Sequence, residues 1–432
     1  MSLSSRPLRA FQFRPALPGD KSITHRAVIL GALARGESRV EQANPGDDCR
    51  ATVRAVEALG VRCERREDTI RLVGTAGRLH APTAALDLGN SGTGLRLLLG
   101  ALAAHPFAVT LTGDASLRRR PVERVLDPLR RMGARAEAPG DHPPVSLTGA
   151  SLRGIRHTLS IPSAQVKSAL LLAGLQGQGE TWVGGATGTR DHTERMLRAF
   201  GVSVGEGDDW VSVQGGQALS AATVRVPGDF SAAVFYLVAA GVCPGSRVTV
   251  EGVGLNPTRT KALDVLIAMG LQVEILPDAD SRDSANEPRG RLVVEGGTLR
   301  GFEIAPREVP WLLDELPALA VAAAFAEGRS RLNGASELRV KESDRIQAMA
   351  DGLRAIGARV IPQDDGWVIE GSGGELLPGG QVRSQGDHRV AMALLVAGFR
   401  TRNGVEVTDP PRVETSDPLF PINLKELEEL AA

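Results

Sequence analysis

The feature that most constrains this sequence is an internal repeat of about 72 residues. Six runs rich in Ala, Leu and Val begin near residues 20, 91, 163, 229, 314 and 387, each after a short polar group. Runs that are apolar nearly all round predict buried helices, and the polar groups predict their N-caps. Six such units account for the whole chain of 432 residues. We therefore expect two domains of three units each, although the repeat alone leaves a solenoid open.

A second pattern recurs with the same spacing. Five amphipathic stretches end at a glycine and lead into an alternating, strand-like segment; the glycines are Gly60, Gly133, Gly201, Gly270 and Gly357. Apolar residues at helical spacing with glycine just beyond them predict a helix and its C-cap. A sixth copy lies at the C-terminus, in NLKELEEL. Each unit is thus predicted to hold one buried helix, one amphipathic helix and several strands, so the fold class is α/β (α+β).

Domain boundaries follow from the repeat. We predict one domain over residues 19–227 and a second over residues 1–18 plus 228–432, with a hinge near Pro227–Gly228 and a partner crossing near Pro18–Gly19. The polar segment Pro277–Arg289 lengthens one interval of the repeat and is predicted to be a surface loop.

Composition excludes several classes of protein. Basic and acidic residues nearly cancel, 50 against 51, so we expect no nucleic-acid partner. The longest apolar run, residues 232–243, is shorter than the roughly 20 residues of a membrane span, and the N-terminus has no signal-like apolar segment. Cys49, Cys63 and Cys243 form neither a disulfide framework nor a zinc pattern, and the histidines show no metal-binding spacing. The sequence predicts a cytoplasmic protein without a metal site.

The first polar motifs suit anionic ligands. In GDKSITHR, Ser22 and Arg26 are four residues apart and share a helix face beside Lys21, so hydroxyl, cations and free backbone N–H groups could hold a phosphate. LGNSGTGLR, at Leu88–Arg96, would let a small anion approach the backbone closely. Ordinary capped helices remain the alternative for both motifs.

Three further motifs add donors and cations: RRRP at Arg118–Pro121, PSAQVK at Pro162–Lys167 and TRDHTE at Thr189–Glu194. Uncharged donors beside cations suit a polyhydroxylated, phosphorylated ligand. Lysine is rare in this chain, 5 residues against 45 arginines, which draws attention to the lysines that lie in motifs. A solvated basic patch and simple polar caps remain the alternatives.

Acidic residues come late in the chain, in DELP at Asp314–Pro317 and RVKESDR at Arg339–Arg345, before GDHR at Gly386–Arg389. Helical spacing would bring Glu342 between two cations, and a catalytic acid there would need burial to raise its pKa. An exposed face of salt bridges is the alternative.

Taken together and in this order, the motifs resemble those of the 3-phosphoshikimate 1-carboxyvinyltransferase (EPSP synthase) family over essentially the whole chain. The resemblance implies a two-domain enolpyruvyl-transferase fold with three βαβαββ units per domain and the active site in the interdomain cleft. It also implies transfer of the enolpyruvyl group of phosphoenolpyruvate to the 5-hydroxyl of shikimate 3-phosphate through a tetrahedral adduct. We expect the enzyme to use no cofactor, to bind no membrane and to be a monomer.

The resemblance also implies roles for individual residues. The shikimate 3-phosphate ligands would be Lys21, Ser22, Arg26, Ser163, Gln165, Arg190, Asp314 and Lys341. The phosphoenolpyruvate ligands would be Lys21, Gly92, Arg120, Gln165, Arg345 and Arg389. Asp314 is placed like the base, Glu342 like the acid, and Lys21 between both substrates. Asn90, Thr93 and His388 are expected to support the site. A lysine that some relatives carry near the C-terminus has no counterpart in Ser416–Pro421, and Lys425 is out of register.

Three other functions compete with this one. UDP-N-acetylglucosamine enolpyruvyl transferases typically carry a catalytic cysteine, occasionally an aspartate, in the loop matching Asp114–Pro121, and none of the three cysteines is near it. RNA 3′-phosphate cyclases carry a histidine motif and a basic charge that are missing here. A non-catalytic sugar-phosphate binder could dispense with Asp314 and Glu342, which this chain retains.

Overall fold

The computed structural model describes residues 2–279, 286–409, 413–415 and 417–430. These residues form two compact units. The first unit contains residues 19–226 with Asn286 and Glu287, and the second contains residues 2–18, 227–279 and those from 288 onward. Each unit has its own hydrophobic core. Hinge motion at the two crossings stays a prediction.

Six helices are buried over most of their length, as the apolar runs predict. They are α1 (Lys21–Leu33), α3 (Gly92–Leu102), α5 (Ala164–Leu175), α7 (Phe230–Val242), α9 (Leu316–Phe325) and α11 (His388–Gly398). The six that alternate with them bury one face. They are α2 (Asp47–Ala58), α4 (Glu123–Met132), α6 (His192–Ala199), α8 (Lys261–Ala268), α10 (Arg345–Ala355) and α12 (Phe420–Leu430).

The first unit contains three four-stranded sheets. In spatial order they are β14 (Thr223–Arg225), β3 (Arg35–Glu41), β5 (Thr69–Thr75) and β4 (Arg62–Arg66); β6 (Leu86–Asp87), β7 (Ala108–Thr112), β9 (Val145–Thr148) and β8 (Arg135–Glu137); and β10 (Arg156–Thr158), β11 (Glu180–Gly184), β13 (Trp210–Gln214) and β12 (Val204–Gly207).

The second unit contains two four-stranded sheets and, within the described residues, one of three strands. They are β2 (Gln12–Phe13), β15 (Arg247–Gly254), β17 (Arg289–Glu295) and β16 (Gln272–Pro277); β18 (Glu303–Ile304), β19 (Arg329–Leu332), β21 (Gly366–Glu370) and β20 (Arg359–Gln363); and β22 (Gly380–Val382), β23 (Val405–Val407) and β1 (Leu3–Ser5).

The pairing confirms the repeat. In every sheet the first pair is parallel and the following pairs are antiparallel. A parallel pair needs a crossover, and in the regular units the buried helix supplies it. Strands β2 and β14 are exchanged: β2 precedes α1 but pairs with β15, and β14 precedes α7 but pairs with β3. The chain crosses between the units directly after each exchanged strand.

The glycines after the amphipathic stretches do end helices. All five predicted glycines have positive φ. At Gly133 φ is +119°, and its N–H bonds to Arg130 O, which closes the last turn of α4. The backbone region that glycine tolerates is thus used here to turn the chain into β8.

The structure differs from the sequence predictions in two places. Residues 341–344 are not helical, because a 3₁₀ turn ends at Val340 and α10 begins only at Arg345. Of the predicted loop Pro277–Arg289, the first residue ends β16 and the last begins β17, while residues 280–285 lie outside the described part of the chain. The solenoid alternative is wrong, because α7, α9 and α11 all contact one another around one core.

Candidate active site

In the first unit, the polar motifs start the three buried helices. Asp20 caps α1 by accepting from Ile23 N–H at 3.0 Å, and Ser91 caps α3 by accepting from Gly94 N–H at 3.0 Å. Ser163 caps α5 by accepting from Val166 N–H at 3.4 Å. Helix N-termini carry partial positive charge, so these three ends suit anions.

Two of the expected ligands lie at the start of α1. The Nζ of Lys21 donates to Asp48 Oδ2 at 2.9 Å, and the lysine side chain is 17% exposed. The Nη1 of Arg190 donates to Ser22 Oγ at 3.3 Å. The structure therefore brings Ser22 and Arg190 together, although 168 residues separate them.

Arg26 is 3% exposed, so it does not lie on an open face of α1. Its guanidinium donates to Thr193 Oγ1 at 2.7 Å, to Ser168 Oγ at 2.9 Å and to Ser22 O at 2.9 Å. Burial lowers the pKa of Arg26 to about 10, with the carboxylate of Glu194 acting in the opposite direction. Arg26 is thus a cation at neutral pH; its bonds to Ser168 and Thr193 hold α5 and α6 against α1, and its bond to Ser22 O stays within α1.

His25, which the sequence analysis did not select, joins three helices. Its Nδ1 lies 2.8 Å from Thr52 Oγ1 and its Nε2 lies 3.4 Å from Ser91 Oγ. Since Thr52 Oγ1 donates to Asp48 O, the consistent tautomer has the proton on Nδ1. Burial, reinforced by the lysine and arginine of α1, lowers the pKa of His25 to about 3, so the ring is neutral. His25 therefore connects the start of α3 to α2, the helix that carries Asp48, the partner of Lys21.

A second group surrounds the start of α3. The Nη2 of Arg120 donates to Asn90 Oδ1 at 2.6 Å, and the Nε2 of Gln165 donates to Thr93 Oγ1 at 2.9 Å. The Nη1 of Arg120 lies 3.0 Å from the place that a Cβ on Gly92 would take. Five residues that are expected to bind phosphoenolpyruvate or to support its site therefore lie together: Asn90, Gly92, Thr93, Arg120 and Gln165.

Other cations of these motifs have different surroundings. Arg118 and Arg119 are exposed, so only the third arginine of RRRP belongs to the group. Lys167 is buried in an ion pair with the equally buried Glu194. The role of Lys167 is therefore structural, because a buried cation needs a buried counter-ion.

In the second unit, Arg345 gathers the acids. It is 1% exposed, and its Nε donates to Asp387 Oδ2 at 2.8 Å while its Nη2 donates to Glu342 Oε2 at 2.7 Å. Asp314 Oδ1 lies 3.7 Å from Arg345 Nη1. Burial alone would lower the pKa of Arg345, but the three carboxylates outweigh it and raise that pKa. The guanidinium is a permanent cation.

Asp314 and Arg389 are held by a second pair of contacts. The Nη1 of Arg389 donates to Asp314 O at 2.9 Å, and its Nη2 lies 3.7 Å from Asp314 Oδ2. Asp387 caps α11 by accepting from Arg389 N–H at 2.9 Å. One fully buried carboxylate, Asp387, thus fixes both Arg345 and the helix that carries Arg389 and His388.

Lys341 and Glu342 lie on the non-helical segment before α10. Burial lowers the pKa of Lys341, with Arg345 adding to the shift and Asp314 opposing it. The predicted helical placement of Glu342 between two cations is wrong, because no helix spans these residues. The contact to Arg345 forms nevertheless.

The start of α7 is the counterpart of the start of α1, but its chemistry differs. GDFS replaces GDKS, so Phe230 stands where the first unit has its lysine. Asp229 accepts from Ser231 N–H at 2.8 Å, and Arg259, the last residue of the motif NPTR at Asn256–Arg259, donates to Asp229 Oδ1 at 3.1 Å. Arg259 also lies 3.6 Å from Glu315 Oε1, and its side chain is 3% exposed. The NPTR arginine belongs to this buried network.

The C-terminal segment offers no substitute lysine within the described residues. Lys425 is exposed and lies 3.7 Å from Glu429 on the same helix. Ser416 is outside the described residues, and Asp417 is buried as the cap of α12.

The described residues lack both a metal-binding cluster and a membrane-spanning helix. No group of three or more His, Cys, Asp or Glu residues there could hold a metal ion. None of the helices described combines the length and the hydropathy that crossing a membrane requires.

The geometry therefore places the candidate residues in two groups, one in each unit. Sequence reasoning missed four residues that hold them: His25, Asp48, Asp114 and Asp387. His25 and Asp387 lie inside selected motifs, and Asp114 begins the loop compared with the rival family. Their position beside selected residues was the only signal in the sequence. Their hydrogen-bond partners are distant in the sequence and could not be read from it.

Comparison with known proteins gives consistent results. A family model described as EPSP synthase (3-phosphoshikimate 1-carboxyvinyltransferase) matches residues 14–424. The 3-phosphoshikimate 1-carboxyvinyltransferase of Geobacter metallireducens is 46% identical over 422 residues, covering 97% of each chain. That of Bacillus subtilis is 44% identical over 415 residues, covering 95% of this chain and 96% of the relative.

Solved structures are similar too. An EPSP synthase from Acinetobacter baumannii has a TM-score of 0.86 and 43% identity, covering 98% of this chain and 97% of that one. The enolpyruvyl transferase NikO from Streptomyces tendae has a TM-score of 0.79 at 19% identity, covering 99% and 96%, and shows the same fold.

Proposed function

The chain belongs to the EPSP synthase family, and from this we propose how its own residues divide the family's reaction between them. The enzyme transfers the 1-carboxyvinyl (enolpyruvyl) group of phosphoenolpyruvate to the 5-hydroxyl of shikimate 3-phosphate and releases phosphate. This is an addition–elimination step of the shikimate pathway, which supplies the aromatic amino acids.

Shikimate 3-phosphate binds through the residues around the starts of α1 and α5. Lys21, Ser22, Arg26 and Arg190 hold the phosphate, and Ser163 and Gln165 hold the ring substituents. The Arg190–Ser22 contact of 3.3 Å supports this assignment, because it places a cation and a hydroxyl at one helix N-terminus. Asp314 and Lys341 complete the proposed set of ligands.

Phosphoenolpyruvate binds mainly through guanidinium groups. Arg120, Arg345 and Arg389 neutralise its carboxylate and phosphate, with Lys21, Gln165 and the backbone at Gly92 as further contacts. Guanidinium forks match such groups bidentately. Asn90 and Thr93 hold Arg120 and Gln165 in place, as their contacts of 2.6 and 2.9 Å support, and His388 borders the site.

The acids carry the proton transfers. Asp314 accepts the proton of the 5-hydroxyl while the hydroxyl oxygen attacks C2 of phosphoenolpyruvate. Glu342, with Lys341 beside it, delivers a proton to C3. In the second step the Glu342 carboxylate takes a proton from the methyl group formed at C3, the C2–O bond to phosphate breaks so that phosphate leaves, and the C2–C3 double bond returns. The observation that carries the proposal is that one buried guanidinium, Arg345, contacts Glu342 at 2.7 Å and lies 3.7 Å from Asp314.

The deciding experiment measures phosphate release from phosphoenolpyruvate with shikimate 3-phosphate or with UDP-N-acetylglucosamine as acceptor. We expect release only with shikimate 3-phosphate. Release only with the nucleotide sugar would contradict the assigned acceptor, and release with neither would favour a binding protein.

Glu342→Gln tests the role of the acid. We expect kcat to fall by about 100-fold or more, because a general acid contributes on that order, while equilibrium binding of shikimate 3-phosphate stays within about twofold, since hydrogen-bonding shape is kept. Glu375→Gln, on an exposed turn, is the matched control and should leave kcat unchanged. An unchanged kcat for Glu342→Gln would remove this residue from the chemistry.

The enzyme acts as a cytoplasmic monomer. Its three cysteines are free thiols, and burial raises the pKa of Cys63 and Cys243 to about 12, which keeps them protonated and unreactive. Light scattering on the purified protein tests the monomer, and fractionation of cells tests the location.

A further inference from the structure

Asp114 is a carboxylate that none of these roles uses, yet both of its oxygens are engaged. Its Oδ1 accepts from Leu117 N–H at 2.8 Å, and its Oδ2 accepts from Asn90 Nδ2 at 2.8 Å. The first contact holds the first residue of the 3₁₀ turn Leu117–Arg119, and the residue that follows this turn is Arg120. One side chain therefore holds the backbone that carries Arg120 and also the amide that Arg120 contacts.

The polarity of these contacts fixes the amide of Asn90. A carboxylate can only accept hydrogen bonds, and a guanidinium can only donate them. Asn90 lies between Asp114 and Arg120, so its Nδ2 must face the carboxylate and its Oδ1 must face the guanidinium, as the distances of 2.8 and 2.6 Å show. Among uncharged side chains of this size, only an amide offers one donor and one acceptor in this arrangement.

We propose that Asp114 is a positioning residue for phosphoenolpyruvate binding, which acts by holding Asn90 and the 117–119 turn so that Arg120 faces the start of α3. The inference rests on the proposed function, in which Arg120 binds phosphoenolpyruvate. Asp114 itself does not touch the substrate. Its effect is transmitted through contacts within the first unit.

Asp114→Asn tests this with no change in size. The new amide can keep the bond to Leu117 N–H through its oxygen, but its NH₂ group then faces the NH₂ group of Asn90. To avoid this clash of donors Asn90 must turn, and a donor then faces Arg120. We expect KM for phosphoenolpyruvate to rise about tenfold, the scale of a lost hydrogen bond to a charged group. KM for shikimate 3-phosphate should stay within about twofold.

The exchange variant Asn90→Asp/Asp114→Asn tests the polarity directly. It restores an acceptor for Arg120 at position 90 and a donor facing it from position 114, with the same net charge. We expect KM for phosphoenolpyruvate to return to within about threefold of the wild-type value. Asn90→Asp alone should raise KM, because it sets two carboxylates against each other. A merely structural role for Asp114 would not single out KM for phosphoenolpyruvate, which is the value that the exchange should restore.

Two controls separate this inference from its premise. Asp127→Asn makes the same chemical change on the exposed face of α4 and should leave both KM values unchanged. Arg120→Gln should raise KM for phosphoenolpyruvate; if it does not, the proposed role of Arg120 fails and the inference with it. If Arg120→Gln raises KM but Asp114→Asn does not, the proposed function stands and the positioning role is overturned. Equal KM increases for both substrates, or a loss of thermal stability without rescue by the exchange, would also overturn it.

Discussion

Lys21, Lys341 and Arg345 show how single side chains are adapted by their surroundings. Arg345 is 1% exposed and is surrounded by carboxylates, which raise its pKa and make it a fixed charge. Burial lowers the pKa of Lys341, so this lysine releases a proton more readily than an exposed one. The side chain of Lys21 is partly exposed, and its Nζ pairs with Asp48 at 2.9 Å. Arginine therefore suits the proposed ligand contacts that need a constant charge, and lysine suits the positions proposed to lie close to proton transfer.

Gly92→Ala is expected to weaken phosphoenolpyruvate binding. A Cβ at this position would lie 2.8 Å from Arg96 Nη1 and 3.0 Å from Arg120 Nη1, so the guanidinium groups must move. Because both are ends of flexible side chains, the fold should persist while Arg120 is displaced. We expect KM for phosphoenolpyruvate to rise about tenfold, equivalent to about 1.4 kcal/mol, and steady-state kinetics measures it.

Gly297→Ala is the control for this change, since a Cβ there meets nothing within 4 Å. Its KM values should equal those of the wild type. A normal KM for phosphoenolpyruvate in Gly92→Ala would mean that Arg120 does not bind the substrate from its observed position.

Among the helices, α12 has an unusual N-cap. Asp417 is buried, its Oδ1 accepts from the N–H groups of Leu419 and Phe420 at 3.0 Å, and its Oδ2 has no hydrogen-bond partner among the described residues. Burial raises the pKa of Asp417 from 3.8 to about 7, and Asp229 adds to the shift. The cap of this helix therefore depends on pH.

Asp417→Asn is expected to stabilise the protein above pH 7. Between pH 3.8 and about 7 the folded chain binds more protons at Asp417 than the unfolded chain, so the free energy of unfolding falls as pH rises. The shift corresponds to at most about 4 kcal/mol, less the cost of burying the new NH₂ group. The amide oxygen can keep the cap. Thermal unfolding should give a larger increase in Tm at pH 8 than at pH 5.

The opposite pattern, with a larger gain at pH 5, would contradict the raised pKa. Asp344→Asn is a useful comparison, because Asp344 caps α10 in the same way but at a half-buried site. For that variant we expect no such gain at high pH.

Element prediction failed where partners from other parts of the chain compete with helical spacing. The segment 341–344 has residues at spacings that suit a helix. In the structure the side chain of Ser343 reaches the distant Asp387 at 3.3 Å, and the same carboxylate accepts from Arg345 Nε at 2.8 Å. Charged contacts of this kind outweigh the small differences in helix propensity.

At the scale of the whole molecule, the chain builds two cores from interleaved sequence. One core uses residues 23–226, and the other uses residues 8–13 with residues 230–427. The exchanged strands β2 and β14 lie at the edges of their sheets. Each unit is therefore completed by a strand that comes from beyond its regular repeat.

A fragment of residues 19–226 is expected to unfold cooperatively, because it contains every residue of its core. A fragment of residues 19–222 lacks β14 and the buried Val224 and Val226, whose side chains contribute about 1.5–3 kcal/mol each when fully buried. We expect it to be less stable by about 3 kcal/mol or more. Urea unfolding of both fragments measures the difference. Equal stability would mean that β14 is dispensable, and a non-cooperative longer fragment would mean that the unit needs the rest of the chain.

The sequence by itself determined the repeat, the alternation of buried and amphipathic helices, their caps and the motifs that carry the candidate residues. These properties are local, because spacing and side-chain type suffice to express them. The tertiary structure decided the exchange of β2 and β14, the choice of Arg120 from three adjacent arginines and the pairing of Lys167 with Glu194. It also decided which residues hold the candidate ligand residues in place, namely His25, Asp114 and Asp387. The reason is physical: the pKa and orientation of a polar side chain depend on partners and burial that come from distant segments.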